Sequence, residues 1–203
     1  MFTADHAYQI FRRSIAEYHK ADHVDAPMRN PFADGTPDAL LYRKNWIDTV
    51  QWHLEDIIRT DLPPESFVAV KRRIDASNQD RTDTVERLDD VFLDALRNVT
   101  PRPDARLNSE TPAWLLDRMS ILELKIWHMR EQAERPDTDE AHRHACRTKL
   151  AILEEQESDM GECFDALVRE MQAGTCRMKV YRQMKMYNDA TLNPMLYAKK
   201  ENA

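Results

Sequence analysis

The sequence predicts an all-α protein, an antiparallel bundle of about five long helices followed by an irregular basic C-terminal arm. Three observations carry that expectation. Only three glycines occur in 203 residues and the ten prolines fall between periodic segments, the composition of long helices joined by short breaks. Apolar residues recur at helical spacing through most of the chain. The breaks are short, so successive helices are expected to be antiparallel neighbours. A single helical domain over residues 1–203 accommodates these elements, with an N-terminal helix and loop (1–35), a main bundle (36–174) and the arm (175–203).

The first helix is expected from about Thr3, a plausible N-cap, to Lys20, with Ala7, Phe11, Ile15 and Tyr18 as its stripe. Pro27, Pro31 and Gly35 make 21–35 a loop. Thr36-Pro37, a cap residue followed by proline at the first helical position, opens the second helix, which Pro63-Pro64 stops after about Asp61. The third is expected over about Pro64–Asn98; its length of roughly 50 Å at ~1.5 Å per residue invites a bend or break near Ser77-Asn78. A proline-containing loop, Val99–Glu110, leads to Thr111-Pro112 and a fourth helix ending before Pro136. The fifth runs from about Thr138 to Ala173, with Gly174 as its stop.

Composition limits the function. A net charge of −7 disfavours nucleic acid as a partner, because duplex binding draws on a basic excess. No window approaches the roughly 20 apolar residues of a membrane span. The N-terminus lacks the basic leader and apolar run of a signal peptide. Cys146, Cys163 and Cys176 are odd in number and without a paired spacing, so reduced thiols in a cytoplasmic protein are expected.

The candidate site residues come from places where polar groups interrupt apolar stripes. In the third helix Phe67, Ile74, Leu88 and Ala95 fall on one heptad line and Val85, Phe92 and Val99 on a second, with Asn78 and Arg81 at interrupting positions. A buried charge or amide is costly without a partner, and sequences break their own patterning mainly at functional sites. The Arg81 fork suits a carboxylate or phosphate, supplied either by a ligand or by one of the chain's own acids. In the second helix Trp46, Val50, Leu54, Ile57 and Ile58 face the core while Asn45, Thr49, His53 and Asp56 line its edge. Trp52 lies on the far side, so a second buried face is expected. That edge reads either as a ligand-facing strip, with His53 as a proton carrier oriented by Asp56, or as a row of ordinary intrahelical pairs such as Glu55–Arg59. In the fourth helix Leu115, Met119, Leu122, Ile126 and Met129 form one stripe and Asp117, Ile121, Leu124 and His128 another, so this helix should be central. Lys125 neighbours His128 at i,i+3 spacing.

Two further clusters have milder readings. Lys179, Arg182 and Lys185 lie among tyrosines of the arm, near Tyr187 and Asn188, and either close an anionic pocket or dock the arm on an acidic bundle. His142 and Cys146 share a helix face but lack the further ligands of a zinc site, so an ordinary exposed surface is expected there.

Four ordered segments, NWIDTVQWHLEDIIR, SNQDRTDTVERLD, DRMSILELKIWHM and YRQMKMYNDATLNPMLY, resemble the bacterial family called domain of unknown function 4254, over roughly Arg43 to Tyr197. The resemblance implies a cytoplasmic helical protein and no activity. The shorter TPAWLLDRMSILELKI resembles a segment of small proteins associated with surface-polysaccharide glycosyltransferases, a pointer to envelope sugar metabolism.

The leading expectation is a binding or accessory protein with a polar intrabundle pocket for a small anionic or sugar-nucleotide-like ligand. Arg81, Lys125 and Lys185 would meet the anion, Trp52 or Trp127 would pack on a ring, and Asn45 and Asn78 would set orientation. Asp117, His53, Asp56, His128, Tyr187 and Asn188 complete the candidate set, with no cofactor. The alternative is a Mg²⁺-dependent nucleotide pyrophosphohydrolase using Glu55, Asp56, Glu86 and Asp89; Glu86 and Asp89 match the Glu-x-x-Asp of such helical enzymes, whereas the second helix lacks their Glu-x-x-Glu. A third reading is a structural homo-oligomer with buried polar registry.

Overall fold

A computed structural model describes residues 2–183, 186 and 189–198. It is an all-α bundle: α1 (Ala4–Tyr18), α2 (Pro37–Ile57), α3 (Pro64–Leu96), α4 (Pro112–Glu134), α5 (Glu140–Gln172) and a single turn, α6 (Pro194–Tyr197). The expected caps operate. Thr3, Thr36 and Thr111 each accept a backbone N–H of the first turn through the side chain, with proline at the first helical position after the latter two. Asp139 does the same for α5.

The core is built where α1 lies across α2 and α4, closed by α3 and α5. Phe11, Tyr18, Tyr42, Val85, Leu88, Phe92, Leu116, Met119 and Phe164 are buried there. α4 is central, as its two apolar lines predict, and α5 packs along it.

Several expectations are corrected. α3 is one continuous helix with no break at Ser77-Asn78. Its heptad line is core only in part: Ile74 and Leu88 are buried, but Phe67 is 47% exposed and Ala95 is exposed too. The loop after α3 contains a two-residue strand, β1 (Arg106–Leu107), pairing in parallel with β2 (Cys176–Arg177). Gly174 makes that pairing possible. Its φ is +70°, and a Cβ there would stand 2.9 Å from the carbonyl oxygen of Thr100.

The start of the arm docks as a cation on an acidic face. Arg182 donates to the backbone carbonyl of Glu86 and to the Asp90 carboxylate (2.5 Å), and the backbone N–H of Gln183 donates to Glu86. Lys185, Tyr187 and Asn188 lie outside the described residues.

Candidate functional site

Two polar centres occupy the interior between α1, α2, α3 and α4. The first is a buried charge network. Lys44 and Asp48, one turn apart on α2, are both buried and ion-paired. Lys44 also meets Asp117 of α4 at 3.0 Å. Arg81 of α3 clasps Asp117 with its fork, Nε at 2.8 Å and Nη2 at 2.5 Å. Ser120 donates to Asp48 at 2.5 Å and accepts from the Asn45 amide at 3.0 Å. Two cations thus face two carboxylates across three helices. Burial alone would push the Asp117 carboxyl up, but Lys44 and the Arg81 fork outweigh it and hold it below the usual carboxylate range. Asp48 goes the other way, its burial prevailing over Lys44.

The interruption at Arg81 is therefore answered from within the chain. A cavity of about 160 Å³ adjoins the network, lined by Asp48, Gln51, Trp52, Glu55, Arg81, Ile121 and Leu124. Lys125 does not line it. It belongs instead to a groove of about 680 Å³ between α4 and α5 that also carries Arg106, Arg118 and Cys163. The structure therefore does not gather Arg81 and Lys125 around one anion, as the sequence reading expected. Asn45 and Asn78 are likewise separated in role: Asn45 is buried on Ser120, while Asn78 accepts from the Gln51 amide at 2.9 Å.

The second centre is a triangle of imidazoles. His19 is the C-cap of α1, His53 lies in the last turns of α2, and His128 lies in the second half of α4. Their ring centroids are 5.3, 5.3 and 5.4 Å apart and the ring planes are inclined by 66°, 66° and 80°, a propeller-like arrangement. Each blade is stacked on one aromatic ring: His53 on Tyr18, His128 on Trp52 and His19 on Trp127. The second buried face of α2 expected from Trp52 is this one.

Two of the rings have their outer nitrogens engaged. His19 Nδ1–H donates to the Ile15 carbonyl (2.8 Å), which also accepts the His19 backbone N–H at the end of α1. His128 Nδ1–H donates to Glu131 (2.9 Å), which also accepts from Trp127 Nε1 (3.0 Å). In the neutral imidazoles those bonds place the proton on Nδ1 and leave both Nε2 atoms with lone pairs. His53 Nε2 lies 3.3 Å from His19 Nε2, and His128 Nε2 is buried with no hydrogen-bond partner. One nitrogen from each ring lies within 4.8 Å of the others. Burial, reinforced by the neighbouring His128 and His19, pushes His53 below the ordinary histidine range, which favours the neutral, ligating form. Asp56 does not orient this ring: its carboxylate is 4.0 Å from His53 Nδ1 and mostly in solvent.

Among the described residues these three histidines form a set whose ligand atoms come together closely enough to share one ion. The expected carboxylate group of Glu55, Asp56, Glu86 and Asp89 does not form such a set. Glu55 pairs with Arg59, Glu86 with Arg182, and Asp89 is buried beside Thr111. His142 and Cys146 do contact each other (3.4 Å), and Cys146 is buried where an exposed surface was expected.

The family model described as Protein of unknown function (DUF4254) matches residues 38–180. The chain belongs to this family. Its matched segment holds the whole charge network together with His53 and His128, while His19 precedes it. No curated protein and no solved structure matches the chain. No helix among the described residues is long and apolar enough to cross a membrane.

Proposed function

We propose that this chain binds one first-row transition-metal ion of the Zn²⁺ class at His19, His53 and His128. The observation that carries this reading is the imidazole propeller, above all the buried, unpartnered Nε2 of His128. An unsatisfied polar atom in a buried position calls for a partner, and an ion supplies one. Imidazole nitrogen suits Zn, Cu, Fe and Ni rather than Mg or Ca. In a tetrahedral site with Zn–N bonds of about 2.0–2.1 Å, neighbouring nitrogens are about 3.3 Å apart, the spacing already present between His19 and His53. The widest spacing in the triangle, up to 4.8 Å, must close by about 1.5 Å on binding. The Ile15 carbonyl and Glu131 serve as outer partners of the kind that orient metal-bound histidines.

A ligand that binds only the folded state raises the melting temperature by mass action. Zn²⁺ added to untagged, metal-free protein is expected to raise the melting temperature of wild type and not of His53→Ala or His128→Ala. An equal rise in the histidine variants would place binding elsewhere and overturn the proposal.

A second reading keeps the small anionic ligand and locates it in the α4–α5 groove, where Lys125, Arg118 and Arg106 stand over an apolar floor that includes Leu115, Ile121 and Met160. A sugar nucleotide that stabilises wild type but not Lys125→Ala would support it; no stabilisation of either protein would remove it for that ligand.

A further inference from the structure

Resting on the three-histidine reading, we infer that Asp22 is the fourth ligand, giving a three-histidine, one-carboxylate site closed by the protein itself. Asp22 follows the C-cap of α1 by three residues. Its Oδ1 lies 4.0 Å from His19 Nε2 and 3.9 Å from His53 Nε2, so one oxygen faces the two nitrogens that already stand at ligand spacing. Against the tetrahedral edge of about 3.3 Å, the oxygen must move inward by only about 0.6 Å relative to His53. The Asp22 side chain is 62% exposed and turns its carboxylate to these two imidazoles.

The backbone holds the carboxylate over the histidines. Asp22 is the one non-glycine residue with positive φ (+48°) among the described residues. Its N–H donates to the Tyr18 carbonyl (2.9 Å), wrapping the chain back over the end of α1. Asparagine and aspartate tolerate this left-handed conformation better than other non-glycine residues. Asparagine can therefore hold the same turn without the negative charge.

The donor set has consequences. Three neutral imidazoles and one carboxylate are hard and borderline ligands, matched to Zn²⁺ or Co²⁺ and poorly matched to Cu⁺, which favours sulfur. Four protein ligands close the coordination sphere, as in sites that hold an ion, whereas catalytic zinc keeps a position open for water or substrate. The ion then ties the exit of α1 to α2 and α4, and its one solvent-facing ligand is the point at which it exchanges.

The test is titration of untagged, metal-free wild type, Asp22→Asn and His53→Ala with Co²⁺ and Zn²⁺, reading the Co²⁺ visible spectrum, the Zn²⁺ affinity and the melting temperature without metal. Wild type is expected to give the intense visible bands of four-coordinate Co²⁺. Asp22→Asn should melt like wild type without metal, bind Zn²⁺ on the order of 10-fold or more weakly, and show shifted, weaker Co²⁺ bands. Equal affinity and an identical spectrum in Asp22→Asn, with binding lost in His53→Ala, would overturn the assignment of Asp22 and leave the three-histidine site standing. Failure of wild type to bind either ion would remove both.

Discussion

The Nε2 atoms of His19 and His53 face each other across 3.3 Å. The His19 Nδ1–H is committed to the Ile15 carbonyl, so its Nε2 is an acceptor, and without metal the contact is a hydrogen bond donated by His53. An ion placed between the two rings replaces that proton.

The aromatic clamps give this exchange an optical readout. Trp52 stacks on His128 at 5.0 Å and Trp127 on His19 at 4.9 Å, centroid to centroid. Binding of a paramagnetic ion such as Co²⁺ is expected to quench their fluorescence. Trp52→Phe and Trp127→Phe should each remove part of that quenching while keeping metal affinity. Quenching unaffected by both substitutions would place the ion away from the triangle.

The charge network is a stability element. Lys44 is fully buried between Asp48 and Asp117. Lys44→Met leaves buried carboxylates short of a counter-charge, and breaking a buried pair in this way costs about 3–5 kcal/mol. Urea unfolding measures this directly, and a loss below about 1 kcal/mol, the range of exposed pairs, would contradict the burial described.

The same network sets an acid limit. Asp117 is held below the usual carboxylate range, where Lys44 and Arg81 outweigh its burial. A carboxylate whose folded pKa lies below its unfolded value of about 3.9 stabilises the fold above that pH and ceases to do so as pH falls through the folded value. Arg81→Gln removes the fork and raises the folded value of Asp117. Its acid unfolding, followed by circular dichroism, should therefore begin at a higher pH than that of wild type; an unmoved acid limb would show that the fork does not depress Asp117.

The two loop glycines separate strain from collision. Gly35 (φ +81°) has open space where a Cβ would stand, whereas Gly174 (φ +70°) has the Thr100 oxygen at 2.9 Å. The left-handed backbone alone costs a non-glycine residue about 1–3 kcal/mol. Gly174→Ala should exceed Gly35→Ala in destabilisation because only it adds a clash with backbone. Equal losses would mean that the β1–β2 junction gives way.

Much of the fold is legible along the chain because its signals are local. Thr36-Pro37 and Thr111-Pro112 open α2 and α4, and the two apolar lines of α4 announce a central helix. Arg81 is readable as a cation in need of an anion, from a ligand or from the chain itself, and Asp117 of the chain meets it. The two-residue strands carry no periodicity and so left no trace. His53 and His128 stand out singly as polar residues beside apolar stripes. His19 does not: it follows Tyr18, the last residue of its stripe, at a helix end where a polar residue is ordinary. Its meaning comes from the packing of α1 against α2 and α4, which spacing along one helix does not encode. The signal that was available is indirect, in that Tyr18, Trp52 and Trp127 supply more aromatic surface near polar neighbours than a simple core requires.

The most direct measurement is X-ray absorption at the zinc edge of the metal-loaded, untagged chain. The account predicts an all nitrogen and oxygen shell at about 2.0–2.1 Å with the outer-ring scattering of three imidazoles. Sulfur at about 2.3 Å, or a shell without imidazole scattering, would show that the ion is not held by His19, His53 and His128.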